Sequence, residues 1–345
     1  MEPTREPTRE PARASLRDIP GWADDQPYEV LPAILRSCAA WAGMPPVAVL
    51  GGAGPGSLAG DWGPACSALR AMGTAPQNRR RRNEWLARLR STLEDYLLAT
   101  DHGTGTLTGY FEPTLRGRLE PDEHHTTPLL AAPARPRPLP PRAAIDAGAL
   151  SGQGLELVWV DSEMDAFFLH IQGSGRVVLN DGTLLRLGYA AQNGHPYIAI
   201  GRLLIQRGAI GREAMSMQAI QAWMRRVAPN EALALMHANP SYIFFRPLPG
   251  LQPHEGPLGA MGVSLTPLRS IAVDREHVPL GAPVFLSGAE PAPRLVAAQD
   301  TGGAIRGRAR GDLFWGWSEE AAQRAGRMNQ PTRMFVLTPR EVPPR

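Results

Sequence analysis

Residues 299–317 read QDTGGAIRGRARGDLFWGW, and this stretch decides the fold. Two acids, Asp300 and Asp312, bracket a run of glycines, arginines and small residues, with apolar runs at 295–298 and 313–315 on either side. The pattern predicts a strand, a tight glycine turn and a second strand. Side chains alternate faces along a strand, and the Gly302-Gly303 pair lets the backbone turn with positive φ or approach a ligand closely. Their amides are candidates for fixed dipoles beside a reacting group. Carboxylates at such strand ends can point into a cleft, although by residue type alone an Asp beside glycines is more often a turn former than a catalyst.

Outward from this stretch, period-two alternation predicts strands at 242–245, 262–265, 271–273, 283–286 and 334–337, interrupted by a helix over 318–328. Amphipathic helices are expected at 197–207 and 215–227, and a third at 230–238 opened by Pro229 and Asn230. A β-rich middle precedes them. It holds a strand from Thr104 through TGTLTGYFEP, strands at 155–160, 166–172 and 175–179, and an Asn180-Asp181-Gly182 hairpin turn into 183–189. The proline-rich passage 133–141 is loop or extended chain. Further upstream, helices are expected over 31–41, 58–72 and 85–98, with the arginine run 79–82 as a solvated helix start or linker. Residues 1–25, which open on the repeat EPTREPTREP, read as disordered.

Composition excludes several classes. The chain has 345 residues, 36 arginines, no lysine and 33 acids, for a net charge of only +3. That balance, with no basic stripe interleaved with aromatics, argues against nucleic acid. No apolar run approaches the roughly 20 residues that span a bilayer. The N-terminus lacks the hydrophobic core of a secretory signal. The eight histidines show no metal-ligand spacing, so neither metal nor cofactor is expected. Cys38 and Cys66 fit no zinc or redox motif; they pair as a disulfide in an exported protein and stay as buried thiols in the cytosol.

Six blocks occur in order: GYFEP at 109–113, the stretch 165–176 with HIQGSGR, GYAAQNGHPY at 188–197, NPSYIFFRP at 239–247, LTPLRSIAVD at 265–274, and the run 299–317. Together they resemble the membrane-bound lytic transglycosylase A family with its three-aspartate domain. The resemblance implies a mainly β fold with N-terminal helices. A double-psi β-barrel would be built from 26–108 and 240–345, a second β-domain from 109–239 would be inserted in it, and the substrate groove would lie between them. It also implies a lyase that cuts peptidoglycan glycan strands in the periplasm, with association to the outer membrane left open and an export signal encoded upstream of Met1 or a different mature start.

By motif position the family's catalytic acid falls on Asp312, with Asp300 shaping its pKa or orienting it, and Asp274 completing the three in a turn-like setting. Such an enzyme needs one carboxyl, protonated near neutral pH, that protonates the leaving oxygen and then takes the proton of the substrate's own C6 hydroxyl. Tyr110, Glu112, Gln172, Ser174 and Asn193 are candidate sugar contacts, with Gly302 and Gly303 lining the site. Each has a plainer alternative: Tyr110 as core, Glu112 as surface charge, and 172–175 as a tight turn. Two other functions remain open, a noncatalytic glycan-binding barrel and a hydrolase pairing Asp312 with Asp300 or Glu112. Other matches are accidents. Asp300-Thr301-Gly302 lacks the second loop of an aspartic protease, Arg310-Gly311-Asp312 is a frequent tripeptide, residues 54–59 lack the parallel-sheet context of a dinucleotide site, and Gly173-Ser174-Gly175 lacks a phosphate-loop lysine.

Overall fold

The computed structural model describes residues 13–134, 138–290 and 293–340. Its first elements are β1 (Arg13–Ala14), α1 (Leu31–Ala42), α2 (Gly63–Ala71), α3 (Arg79–Tyr96) and β2 (Leu97–Tyr110). In α3 the Asn78 side chain accepts from the Arg81 amide as N-cap, and Trp85, Leu89 and Leu93 at four-residue spacing are buried. The helix expected over 58–72 is split into a 3-10 turn at Ala59–Trp62 and α2. Cys38 and Cys66 form a disulfide that ties α1 to α2.

After β2 the chain makes β3 (Thr114–Arg118), β4 (Thr127–Leu130), α4 (Arg142–Asp146), β5 (Glu156–Val160), α5 (Glu163–Gln172), β6 (Gly175–Leu179), β7 (Leu184–Gln192), α6 (Ile200–Gln206), α7 (Met217–Arg226), α8 (Pro229–His237) and β8 (Ile243–Pro247). The C-terminal part adds β9 (Ser270–Val273), β10 (Pro283–Ser287), β11 (Arg294–Asp300), β12 (Arg310–Phe314), α9 (Glu319–Arg327) and β13 (Asn329–Pro339).

Two sheets result. The first runs β1-β2-β12-β9-β11-β10-β13, and β13 also pairs with β2, so six strands close into a barrel with no free edge between them. Within it β12 runs parallel to β2 and β11 parallel to β9. Strand β11 reads as a continuous apolar run because both its faces are covered; Leu295, Val296, Ala297 and Ala298 have no exposed surface. Helices α1–α3 pack on the outside of the barrel, with Trp41 stacked on Trp62 at 4.4 Å between ring centroids. The second sheet, β4-β5-β3-β6-β7-β8, has its own core of Leu129, Val158, Val160, Val177, Leu187 and Phe245.

The structure corrects four expectations. Residues 166–172, read as a strand, lie in helix α5: Ser162 caps it by accepting from the Asp165 amide, Gly173 ends it at φ 80°, and its consecutive apolar residues are buried together, so no alternation applies. Residues 262–265 form only an isolated bridge, Leu258 to Ser264, beyond the turn at Gly262. Strand β8, expected in the barrel portion starting at residue 240, pairs with β7 as an edge of the second sheet. Residues 13–25, expected to be disordered, are docked: Leu16 and Trp22 are buried, and Asp25 accepts from Arg269 at 2.9 Å. Residues 1–12 lie outside the described part.

Candidate active site

The site is set by sheet register. On β9, Ala272 pairs with Asp300 of β11 on one side and with Asp312 of β12 on the other. Residues in register point to the same face, so two carboxyls flank a floor made of a single methyl group. With strands about 4.8 Å apart, the two acid-bearing backbones are about 10 Å from each other. Both acids open onto a cleft of about 740 Å³ between the sheets. The barrel supplies Tyr110, Ala272, Asp300 and Asp312; the second lobe supplies His170, Gln172 and Ser174. Gly302 and Gly303 line the same cleft. A second cavity of about 700 Å³ begins at Gly109 and Gln172, on the other side of Thr108, and is walled by Phe111, Phe168 and Tyr197.

The two acids are bonded differently. Asp300 accepts from Tyr110 Oη at 2.8 Å on Oδ2, and from the amides of Ala260 and Thr301, each at 2.9 Å, on Oδ1. Burial pushes its pKa up, and these three donors pull the other way. Among the described residues Asp312 accepts a bond only from Thr108 Oγ1, at 2.6 Å on Oδ1. Its carboxyl is pushed up to about 6, first by burial; the Thr108 bond and the Arg310 guanidinium oppose this, and the Asp300 carboxylate reinforces it. Asp312 is thus the one acid of the pair with an oxygen, Oδ2, open for proton exchange.

Asp274, the third aspartate, accepts from the amides of Gly307 at 2.7 Å and Glu276 at 3.1 Å, fixing the loop that carries Arg306. Tyr110 packs on Phe314 and spends its hydroxyl on Asp300. Gln172 Oε1 accepts from the Phe111 amide at 3.0 Å, so the residue bridges the lobes at the cleft while its amide nitrogen carries no bond to another described residue.

Two candidates are not in the cleft. Glu112 is neither sugar contact nor surface charge: it is wholly buried, with Arg176 Nε at 2.8 Å and Arg186 Nη2 at 2.8 Å. Those arginines also donate to the carbonyls of Pro253, Gln252 and Glu255, so the cluster bolts β6 and β7 to the end of β2 and to the return of the chain. Asn193 is also wholly buried; its amide donates to the carbonyls of Pro140 and Pro240 and its oxygen accepts from the Tyr242 amide. Its hydrogen-bonding capacity is consumed by backbone, which removes it from glycan recognition.

Sequence reasoning missed Thr108, Ala272 and Arg310. The alternation of 104–110 places Thr108 on the same face as Tyr110, and Arg310 lies two residues before Asp312, so strand parity was the available signal. Only the pairing of β2 with β12 places Thr108 against the acid. Two groups of donors could hold a cation, Asp146 with Glu163 and His237, and Asp274 with Glu276 and His277. The proton chemistry of Asp312 needs neither.

This geometry can be set beside known proteins. Residues 106–246 match the MltA specific insert domain and residues 269–338 match the 3D domain. Over 249 residues the chain is 36% identical to membrane-bound lytic murein transglycosylase A of Vibrio cholerae, covering 68% of this chain and 66% of that protein. The chain belongs to the membrane-bound lytic murein transglycosylase A family. It spans about two thirds of the length of the curated relatives it matches. A crystal structure of the membrane-bound lytic murein transglycosylase from Agrobacterium tumefaciens superposes with a TM-score of 0.82 at 31% identity, covering 96% of this chain and 98% of that one. The family's E. coli MltA, solved with bound chitohexaose, gives a TM-score of 0.69 at 28% identity, with 96% and 93% covered. The lytic transglycosylase A fold, a double-psi barrel with an inserted second domain, therefore accounts for both sheets and for the cleft between them.

Proposed function

We propose that this chain is a lytic transglycosylase that cleaves the β-1,4 bond between N-acetylmuramic acid and N-acetylglucosamine of peptidoglycan, with Asp312 as acid and then base. The observation that carries this reading is a carboxyl in an interlobe cleft with one oxygen that no described residue donates to, and burial pushes that carboxyl up to about 6. Family membership supports the same activity, because the named relatives are lytic murein transglycosylases.

The protonated Asp312 delivers its proton to the glycosidic oxygen; the bond from that oxygen to muramyl C1 breaks, and its electron pair stays with the departing glucosamine hydroxyl. The resulting carboxylate faces a sugar cation at C1. It then removes the proton of the muramyl C6 hydroxyl as O6 bonds to C1, which closes the 1,6-anhydro ring and restores the acid. Because the nucleophile is part of the substrate, no water is consumed and its effective concentration is high. Asp300 supports this by its negative charge, which keeps Asp312 protonated, and by holding Tyr110 and the turn at Ala260 in place. A two-carboxylate hydrolase is disfavoured, since Glu112 is locked between arginines and both oxygens of Asp300 are already accepting hydrogen bonds.

Work in the periplasm fits the disulfide, which persists in oxidising compartments. The relatives are named as membrane-bound, and among the described residues no helix is long and apolar enough to cross a membrane. Digestion of purified peptidoglycan followed by mass spectrometry of the fragments tests the reading. Anhydromuramyl ends are expected; reducing ends would indicate a hydrolase, and no release a binding module.

A further inference from the structure

Resting on that reading, we infer that Thr108 and Arg310 form a relay that directs the acidic proton of Asp312 onto Oδ2, the oxygen left for substrate. Both are positioning residues.

A threonine hydroxyl has a single hydrogen, and a guanidinium can only donate. Arg310 Nη2 lies 2.9 Å from Thr108 Oγ1, so it donates there. The hydrogen of Thr108 then points away from the arginine, and its acceptor among the described residues is Asp312 Oδ1 at 2.6 Å. With the proton on Oδ1, Thr108 could accept it on its second lone pair, but its own hydrogen would then lose its partner; the arrangement that pairs both hydrogens makes Oδ1 the acceptor. In that arrangement the neutral acid carries its proton on Oδ2. Hydroxyls usually rotate to suit their neighbours; here the arginine occupies one lone pair and biases the hydrogen toward Asp312.

The fold builds this relay from sheet register. Parallel pairing of β12 with β2 sets Asp312 opposite Thr108 and Arg310 opposite Thr106. Arg310 is on the same face of β12 as Asp312, two residues earlier, and Nη1 is tethered to the carbonyls of Thr106 and Gly311. The β-branch of Thr108 restricts its rotamer. His170, Arg246, Arg275 and Arg306 line the same cleft, and the groups in electrostatic reach of Asp312 are Arg310 on its own strand, Asp300 on β11, Tyr110 on β2 and Tyr197 from the segment between β7 and α6. Of the groups in that reach Arg310 alone is cationic. It both favours the carboxylate by its charge and orients the donor that does the same.

A carboxyl whose proton sits on the wrong oxygen is a competent acid in the wrong direction, and general acid catalysis depends on alignment. The test uses the full chain with purified peptidoglycan, three single variants and one double variant. Thr108→Val keeps shape and removes the hydrogen; kcat is expected to fall about tenfold with KM little changed. The basic limb of kcat/KM should move up by about half to one pH unit, because a donor that favours the carboxylate is gone. Thr108→Ser should regain both. Arg310→Met should raise the limb in the wild-type background and raise it less when Thr108 is already valine.

A carbon-13 NMR titration of the Asp312 carboxyl reads the same shift without turnover. It decides the relay even if the wild-type chain releases no anhydro products, an outcome that would sink the proposed function instead. An unmoved Asp312 titration in Thr108→Val, or a serine variant as impaired as the valine one, overturns the relay and leaves Thr108 a packing role. If Thr108→Val does not fold, the titration of Arg310→Met decides alone: no upward shift means no relay.

Discussion

Glu112, wholly buried, and Asp312, half-buried at the cleft, are both carboxyls where the two lobes meet, yet one is a bolt and the other a candidate acid. Glu112 receives four charge-assisted hydrogen bonds from Arg176 and Arg186, between 2.8 and 3.1 Å. Two cations and four hydrogen bonds occupy both of its oxygens and leave none open for exchange. Asp312, half-buried at the cleft, has a single hydroxyl donor on one oxygen, and a cation reached only through that hydroxyl or at longer range. Burial without compensation makes the neutral form competitive. The difference shows that it is the census of donors, and not burial itself, that separates a structural carboxylate from a proton donor.

Four expected effects of three substitutions challenge that contrast. The largest effect is expected from Asp312→Asn, which removes the proton donor at nearly constant shape: release of anhydromuramyl products should drop by ~10²-fold or more with an unchanged circular dichroism spectrum. Activity within about tenfold of wild type would reassign the acid. Glu112→Gln comes next and acts on stability. It strands two buried guanidiniums, and urea unfolding should show a loss of about 3–5 kcal/mol; a loss below about 1 kcal/mol would mean that the cluster is not a bolt.

The third effect has the opposite sign. A carboxyl raised from 3.8 unfolded to about 6 folded binds its proton more tightly in the native state. Its contribution to stability is complete below pH 3.8 and is lost as pH rises to about 6, about two pH units at ~1.4 kcal/mol each. At pH 7 Asp312→Asn should therefore be more stable than wild type by up to about 3 kcal/mol, and the gain should vanish near pH 4. Equal stability at both pH values would show that the acid is not strained. The smallest effect is that of Asp300→Asn. Its negative charge helps to hold Asp312 neutral, so its removal should shift the basic limb of kcat/KM, expected near pH 6 in wild type, to lower pH by less than about one unit. An upward shift would contradict the sign assigned to Asp300.

Much of the contrast was not legible in the sequence. The strand and turn around Asp300 and Asp312 were readable because glycine pairs and period-two apolar runs are local signals. The six ordered blocks pointed to the same residues. By contrast, Glu112 in GYFEP and Asn193 in GYAAQNGHPY sit in those blocks as conspicuously as any ligand, and only their burial assigns them to the frame. Residues 166–172 misled because a helix buried on most sides loses the polar stripe by which amphipathic helices are recognised.

The sequence by itself determined the β-rich C-terminal half, the helical N-terminal part, the three aspartates and the family to which they point. The tertiary structure alone decided which aspartate keeps a free oxygen. Thr108, the donor that fixes Asp312, is 204 residues away along the chain, and Arg176 and Arg186, which fix Glu112, are 64 and 74 residues away. A proton affinity is set by what lies within a few ångströms, and strand pairing between distant segments chooses those neighbours.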